Sequence, residues 1–262
     1  MRLTFPAYCL ITVIFLLPSA LFAQYWSIGP QKFTGHEVPV LCYHQVRNYT
    51  PKDGSEARAY TVTPAQFEAQ MKMLSDSGYH SILPDDLFLW YTRGKPLPNR
   101  PVMITFDDNT ASQFFIALPI LDKYGFKAVF FVMTVSLNRK NFMTTAQLKD
   151  LQQSGHTIGC HSWDHKNMRE YTDSDWKIQL DQPLKTLQTI TGDSVRYFAF
   201  PYGVWTKDGL DELQKRGIQM AFILHTAKDA QLPLLTVRRL LVGGGWSANA
   251  LHQRMMKSFL PF

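Results

Sequence analysis

Two adjacent carboxylates, Asp107 and Asp108, end an apolar run, Pro101-Val102-Met103-Ile104, extended by Thr105 and Phe106. Such a run reads as a buried strand. Burying one unpaired carboxylate is costly, and burying two side by side costs more. The pair therefore belongs on the rim of a sheet, and a cation shared with other ligands is the least costly resolution. Two more motifs have the same placement. His156 to Cys160 reads as a strand running into His161-Ser162-Trp163-Asp164-His165, with imidazoles at i and i+4. Val195 to Phe200 reads as a strand running into Pro201-Tyr202-Gly203.

Between these strands the pattern is helical. Thr63 as N-cap and Pro64 at the first helical position open a helix with a buried stripe of Phe67, Met71 and Leu74, closed by Gly78. Further helices are predicted from Pro84 to Gly94, Ala111 to Tyr124, Thr144 to Ser154, Asp173 to Thr191, Thr206 to Arg216 and Ser247 to Ser258. Pro119 and Pro183 predict irregularities inside two of them. Strands are expected at Val38–His44, Tyr79–Leu83, Lys127–Met133, Ile218–Leu224 and Leu235–Val242 as well. Strand and helix alternate about seven or eight times, which predicts parallel β/α units closed into a barrel. In such a fold the chemistry lies at the carboxyl ends of the strands, where Asp107, Asp108, His161, His165, Tyr202 and His225 all fall. Residues 47–61 are polar, with Pro51 and Gly54. That is long for an unstructured loop, and such loops are usually functional or mobile.

The first residues follow another logic. Met1-Arg2 precedes an apolar stretch that ends at Ala20-Leu21-Phe22-Ala23, so residues 1–23 read as a signal peptide or an N-terminal anchor. Residues 24–37 read as a tether and residues 38–262 as the folded domain, facing the periplasm or the exterior. Export permits disulfides, but Cys42 and Cys160 fall on strands not expected to be neighbours and read as small buried residues. The net charge of +6 is spread along the chain, with no dense basic patch for nucleic acid.

The three motifs, in this order, resemble the polysaccharide deacetylase family, the NodB-homology carbohydrate esterases of family 4. The chain is most similar to the branch that de-N-acetylates the biofilm polymer poly-β-1,6-N-acetylglucosamine, over about Val38 to Val242. The resemblance implies a distorted (β/α) barrel. It implies Asp108, His161 and His165 as ligands of a divalent metal, zinc by default with cobalt or nickel able to bind. It implies Asp107 as general base and the Tyr202 backbone N–H as oxyanion donor. An amide nitrogen also needs a proton to leave, and the family's late histidine is matched poorly. His225 is the first candidate for that role and His44 the second. Trp163 and Trp205 could stack on sugar rings or simply pack the rim.

Two positions depart from the family pattern. Asn109 stands where a glycine is usual, and Asn tolerates a left-handed backbone. Ala199 stands where many members carry an arginine that tethers the base, and Arg196 or Arg239 is left as its substitute. The expected substrate is an N-acetylglucosamine-containing polysaccharide. O-deacetylation at the same site, an iron oxygenase with a two-His-one-carboxylate triad, and a glycan-binding protein without turnover are the alternatives.

Overall fold

The computed structural model describes residues 37–224 and 226–259. The expected signal segment, and the tether apart from Glu37, lie outside the described residues. No helix among the described residues is long and apolar enough to cross a membrane.

The strands are β1 (Val40–Tyr43), β2 (Gln45–Val46), β3 (Thr61–Val62), β4 (His80–Ser81), β5 (Pro101–Phe106), β6 (Val129–Val132), β7 (Thr157–Cys160), β8 (Tyr197–Ala199), β9 (Met220–Ile223), β10 (Val237–Arg238) and β11 (Leu240–Leu241). The main sheet runs β10-β9-β8-β7-β6-β5-β1-β11, with β4 added beside β5. Every pairing is parallel. The strand expected over 235–242 is broken at Arg239. Its first half pairs with β9 and its second half with β1, so one short segment closes the ring. This is the β/α barrel that the alternation predicts, with the distortion that the family resemblance implies.

Side-chain alternation along the strands sorts the core into two clusters. Leu41, Tyr43, Ile104, Phe106, Phe130 and Val132 pack with helix residues such as Phe67, Met71 and Leu121. Val40, Met103, Val129, Phe131, Ala199, Met220 and Phe222 form the second cluster inside the ring. Phe131 pairs in register with Gly159, where a Cβ would lie 2.5 Å from the Phe131 ring. The inner face then turns polar toward the carboxyl ends, with Thr105, Asp107 and Arg239, all buried. Cys42 and Cys160 are buried free thiols on non-adjacent strands, as expected.

The helix ends behave as their caps dictate. Thr63 and Thr144 each close a capping box, with Gln66 and Gln147. The two helix-interior prolines act alike. Each lacks the N–H that would continue the helical ladder, and a π-helical turn precedes each: Gln113–Ala117 before Pro119 and Lys177–Asp181 before Pro183.

One buried histidine gives the fold a dependence on pH. His156 is 3% exposed, its Nδ1 accepts the Ala128 N–H at 3.1 Å, and its Nε2 has no partner among the described residues. Burial, with Lys127 adding to it, pushes this imidazole down to about 4 from 6.5. Above pH 6.5 the ring is neutral in both folded and unfolded chains. As pH falls from 6.5 toward 4, the unfolded chain takes up a proton that the fold refuses, so stability is lost. Urea unfolding at pH 7.5 and 4.5 should show His156→Gln losing about 2–3 kcal/mol less than the parent over this range. Equal losses would remove His156 as a source of acid sensitivity.

Candidate metal centre and active-site rim

Three loops at the carboxyl ends of β5, β7 and β8 carry the motifs, and all three are bent by left-handed residues. Asp108 (φ 71°), Asn109 (φ 41°), Ser162 (φ 65°), His165 (φ 69°) and Tyr202 (φ 59°) all have positive φ. Such conformations cost on the order of 1–3 kcal/mol each outside glycine and gather at functional sites. Asn109 accepts its bend and adds bonds that a glycine could not. Its Oδ1 receives the Met133 N–H at 2.9 Å, and its Nδ2 donates to Ser136 Oγ at 3.0 Å.

Asp108 Oδ1 lies 3.5 Å from His161 Nε2 and 3.8 Å from His165 Nε2. Nδ1 of His161 is 2.8 Å from the Ala199 carbonyl. A carbonyl only accepts, so Nδ1 carries the proton and Nε2 presents a lone pair toward Asp108. Neither Asp108 Oδ1 nor His161 Nε2 has a hydrogen-bond partner among the described residues, although both are buried. Burial, and then His161, hold the His165 imidazole below its usual pKa, which favours the neutral, ligating form. Two facing acceptors without a donor between them are a poor arrangement unless a cation lies there. Ligand atoms around a tetrahedral zinc stand about 3.3–3.5 Å apart, close to the spacings here. These residues therefore fit a divalent metal.

Asp107 is in a different environment. It is 2% exposed, and Arg239, also 2% exposed, grips it through Nη1 to Oδ1 at 2.7 Å and Nη2 to Oδ2 at 2.8 Å. Cys42 Sγ adds a weak contact to Oδ2 at 3.6 Å. Burial alone would raise this carboxyl. The guanidinium overrides burial and holds it well below the usual carboxylate range, so it stays ionised. Arg239 is thus the tether of Asp107, the expected base. The other candidate, Arg196, pairs with Asp85 instead.

The remaining expectations divide. A ring nitrogen of His44 lies within 4.8 Å of Asp107 and Cys42 ligand atoms, and its buried Nδ1 is without a partner among the described residues. Burial lowers its pKa against the pull of Asp107 and Asp108. His225 lies outside the described residues. Tyr202 is 60% exposed, with its ring 4.5 Å from that of His165. Trp163 is 37% exposed on the loop between the two histidines. Trp205 packs against the core and donates its indole N–H to the Ala227 carbonyl at 2.9 Å, so rim packing is the role its contacts fill.

Two buried glutamines went unnoticed in the sequence. Gln113 donates to the carbonyls of Asp107 at 2.5 Å and His44 at 2.7 Å. Gln179 accepts from the Trp163 N–H at 3.2 Å and donates to Asp164 at 2.9 Å. Each sits in one of the proline-induced π turns, so those irregularities support the motif loops. The only signal available was the pair of prolines.

Comparison with known proteins agrees with this geometry. The family model for polysaccharide deacetylases matches residues 94–221. The chain is 28% identical to the Bacillus subtilis protein YxkH, grouped by name with these enzymes, over 82% of this chain and 74% of that one. It is 27% identical to the poly-β-1,6-N-acetyl-D-glucosamine N-deacetylase of Staphylococcus aureus, over 74% of each. Among solved structures, the Streptococcus pyogenes deacetylase PplD superposes with a TM-score of 0.78 at 22% identity, covering 85% of this chain and 99% of that one. IcaB from Ammonifex degensii gives 0.69 at 24% identity, with 84% and 97% covered. Motifs, barrel and relatives together match this chain to the polysaccharide deacetylase family.

Proposed function

We propose that this polysaccharide deacetylase removes N-acetyl groups from an N-acetylhexosamine polymer, poly-N-acetylglucosamine-like or a cell-wall glycan, and that it depends on a divalent metal. The observation that carries this reading is the pair of orphaned acceptors, Asp108 Oδ1 and His161 Nε2, facing each other beside an ionised Asp107. Asp108, His161 and His165 would hold the metal, with zinc the default for that donor set. Such an ion acidifies a bound water and polarises an acyl oxygen.

The chain's own residues supply the rest. Asp107 keeps a second lone pair on each oxygen outside the Arg239 fork and takes the proton from the attacking water. A carboxylate held so far down is a weak base, so it retains that proton only briefly. His44, with a ring nitrogen within 4.8 Å of an Asp107 carboxylate oxygen, would pass a proton to the departing nitrogen. The Tyr202 N–H would donate to the oxyanion, and the exposed faces of Tyr202 and Trp163 would border the sugar. Residues 1–23 would direct export, placing the domain where such polymers are found.

Acetate release from N-acetylglucosamine oligomers of different linkage tests this. Release should stop on chelation and return with zinc or cobalt. Stoichiometric metal binding with no turnover of any oligomer, but turnover of O-acetylated glycans, would move the assignment to the ester reading.

A further inference from the structure

The segment expected to be a loose polar loop is held in place from outside. Residues 55–59 form a short helix that buries none of its own side chains. Its neighbours are tied locally, by Arg47 to Asp53 at 2.8 Å and by β2 pairing with β3. The segment meets the barrel at Gly244, in the turn after β11. The Gly244 N–H donates to the Ala59 carbonyl at 2.9 Å. A Cβ on Gly244 would lie 1.8 Å from the Arg58 carbonyl oxygen, 2.5 Å from that of Thr61 and 2.9 Å from the Tyr49 hydroxyl. Two of those three atoms are backbone, so no side chain can swing away to make room. The same turn is anchored on its far side. Trp246 presents its carbonyl to Gln70 Nε2 at 2.9 Å, and Gln70 Oε1 accepts the Tyr43 hydroxyl at 2.9 Å. Tyr43 immediately precedes His44.

The next residue of the clamped segment, Tyr60, packs its ring on His44, with centroids 4.9 Å apart and planes tilted by 60°. The His44 carbonyl is fixed by Gln113, but its Nδ1 has no partner among the described residues. The ring's orientation therefore rests on packing, and Tyr60 provides it. We infer that Gly244 is a positioning residue: its lack of a side chain seats the 55–60 segment so that Tyr60 holds the His44 imidazole toward Asp107. This rests on His44 as the proton donor proposed above. It adds that the donor's aim is set by a glycine in the turn that follows the strand segment closing the barrel.

A double-mutant cycle tests it, with kcat for acetate release from N-acetylglucosamine oligomers measured in single-turnover mode so that slow variants stay readable. Gly244→Ala and Tyr60→Leu should each lower kcat about tenfold or more, a loss in the range expected when a reacting group is misplaced. KM and bound metal should change less than twofold. In a His44→Ala background the same substitutions should cost less than twofold, because the group they aim is gone. If His44→Ala itself costs little, the proton-donor reading fails. If His44→Ala costs heavily and the other losses simply add to it, the positioning role is overturned and the donor reading survives. An unchanged kcat in Gly244→Ala also overturns it. Should Gly244→Ala not fold, Tyr60→Leu carries the cycle, since Tyr60 is only partly buried.

Discussion

Asp107→Asn is expected to lower kcat for acetate release by about 10²–10⁴-fold while the metal stays bound stoichiometrically. Asp107 and Asp108 are chemically identical neighbours, and only their surroundings tell them apart. Both oxygens of Asp107 lie in the Arg239 fork. A cation placed on them would have to expel a guanidinium that is already the counter-charge. Among the described residues Asp108 has no such partner, and its left-handed backbone turns Oδ1 toward His161 and His165. Asp108→Asn should therefore lose metal and activity together, whereas Asp107→Asn should lose rate alone. Metal content measured beside acetate release separates the two. If Asp107→Asn empties the site and Asp108→Asn keeps it filled, the two roles are reversed.

The barrel was legible because its strands are apolar runs and its helices carry caps and terminators, signals that act over a few residues. Thr63 with Gln66 and Thr144 with Gln147 cap as local rules require. The placement of Asp107, Asp108, His161 and His165 at strand ends was legible from the apolar runs that precede them, but not the burial of Asp107, whose charge Arg239 matches. What was hidden depends on closure. Residues 196 and 239 were equal candidates for the base's tether in sequence. Only the break between β10 and β11 puts Arg239 on the inner face next to Asp107, while Arg196 stays with Asp85. β2 and β3 are two residues each, too short for any periodicity, so the 47–61 segment read as loop. Gln113 and Gln179 read as ordinary polar helix positions. A π turn rotates them inward, and nothing but a proline farther along the helix announces it.

Arg239→Met should be the most damaging single change to the fold near the site. It leaves Asp107 buried without its counter-charge, and breaking one side of a buried pair costs about 3–5 kcal/mol. Activity should fall about 10²-fold or more, since Asp107, the proposed base, is no longer held in line. Arg239→Lys keeps the charge but cannot span both oxygens, so it should fall between parent and Met in stability and in rate. The informative variant is the double one. Arg239→Met with Asp107→Leu removes both charges at once and fills an inner face that already holds Phe131, whose ring lies 5.4 Å from the guanidinium carbon. Apolar replacement of a buried pair is often neutral or better for stability. Denaturant unfolding should then return to near the parent's midpoint, with acetate release still at background. A double variant as unstable as Arg239→Met would mean that Arg239 supports the barrel closure itself. Recovery without activity would show that the pair is kept for the reaction, at no benefit to the fold.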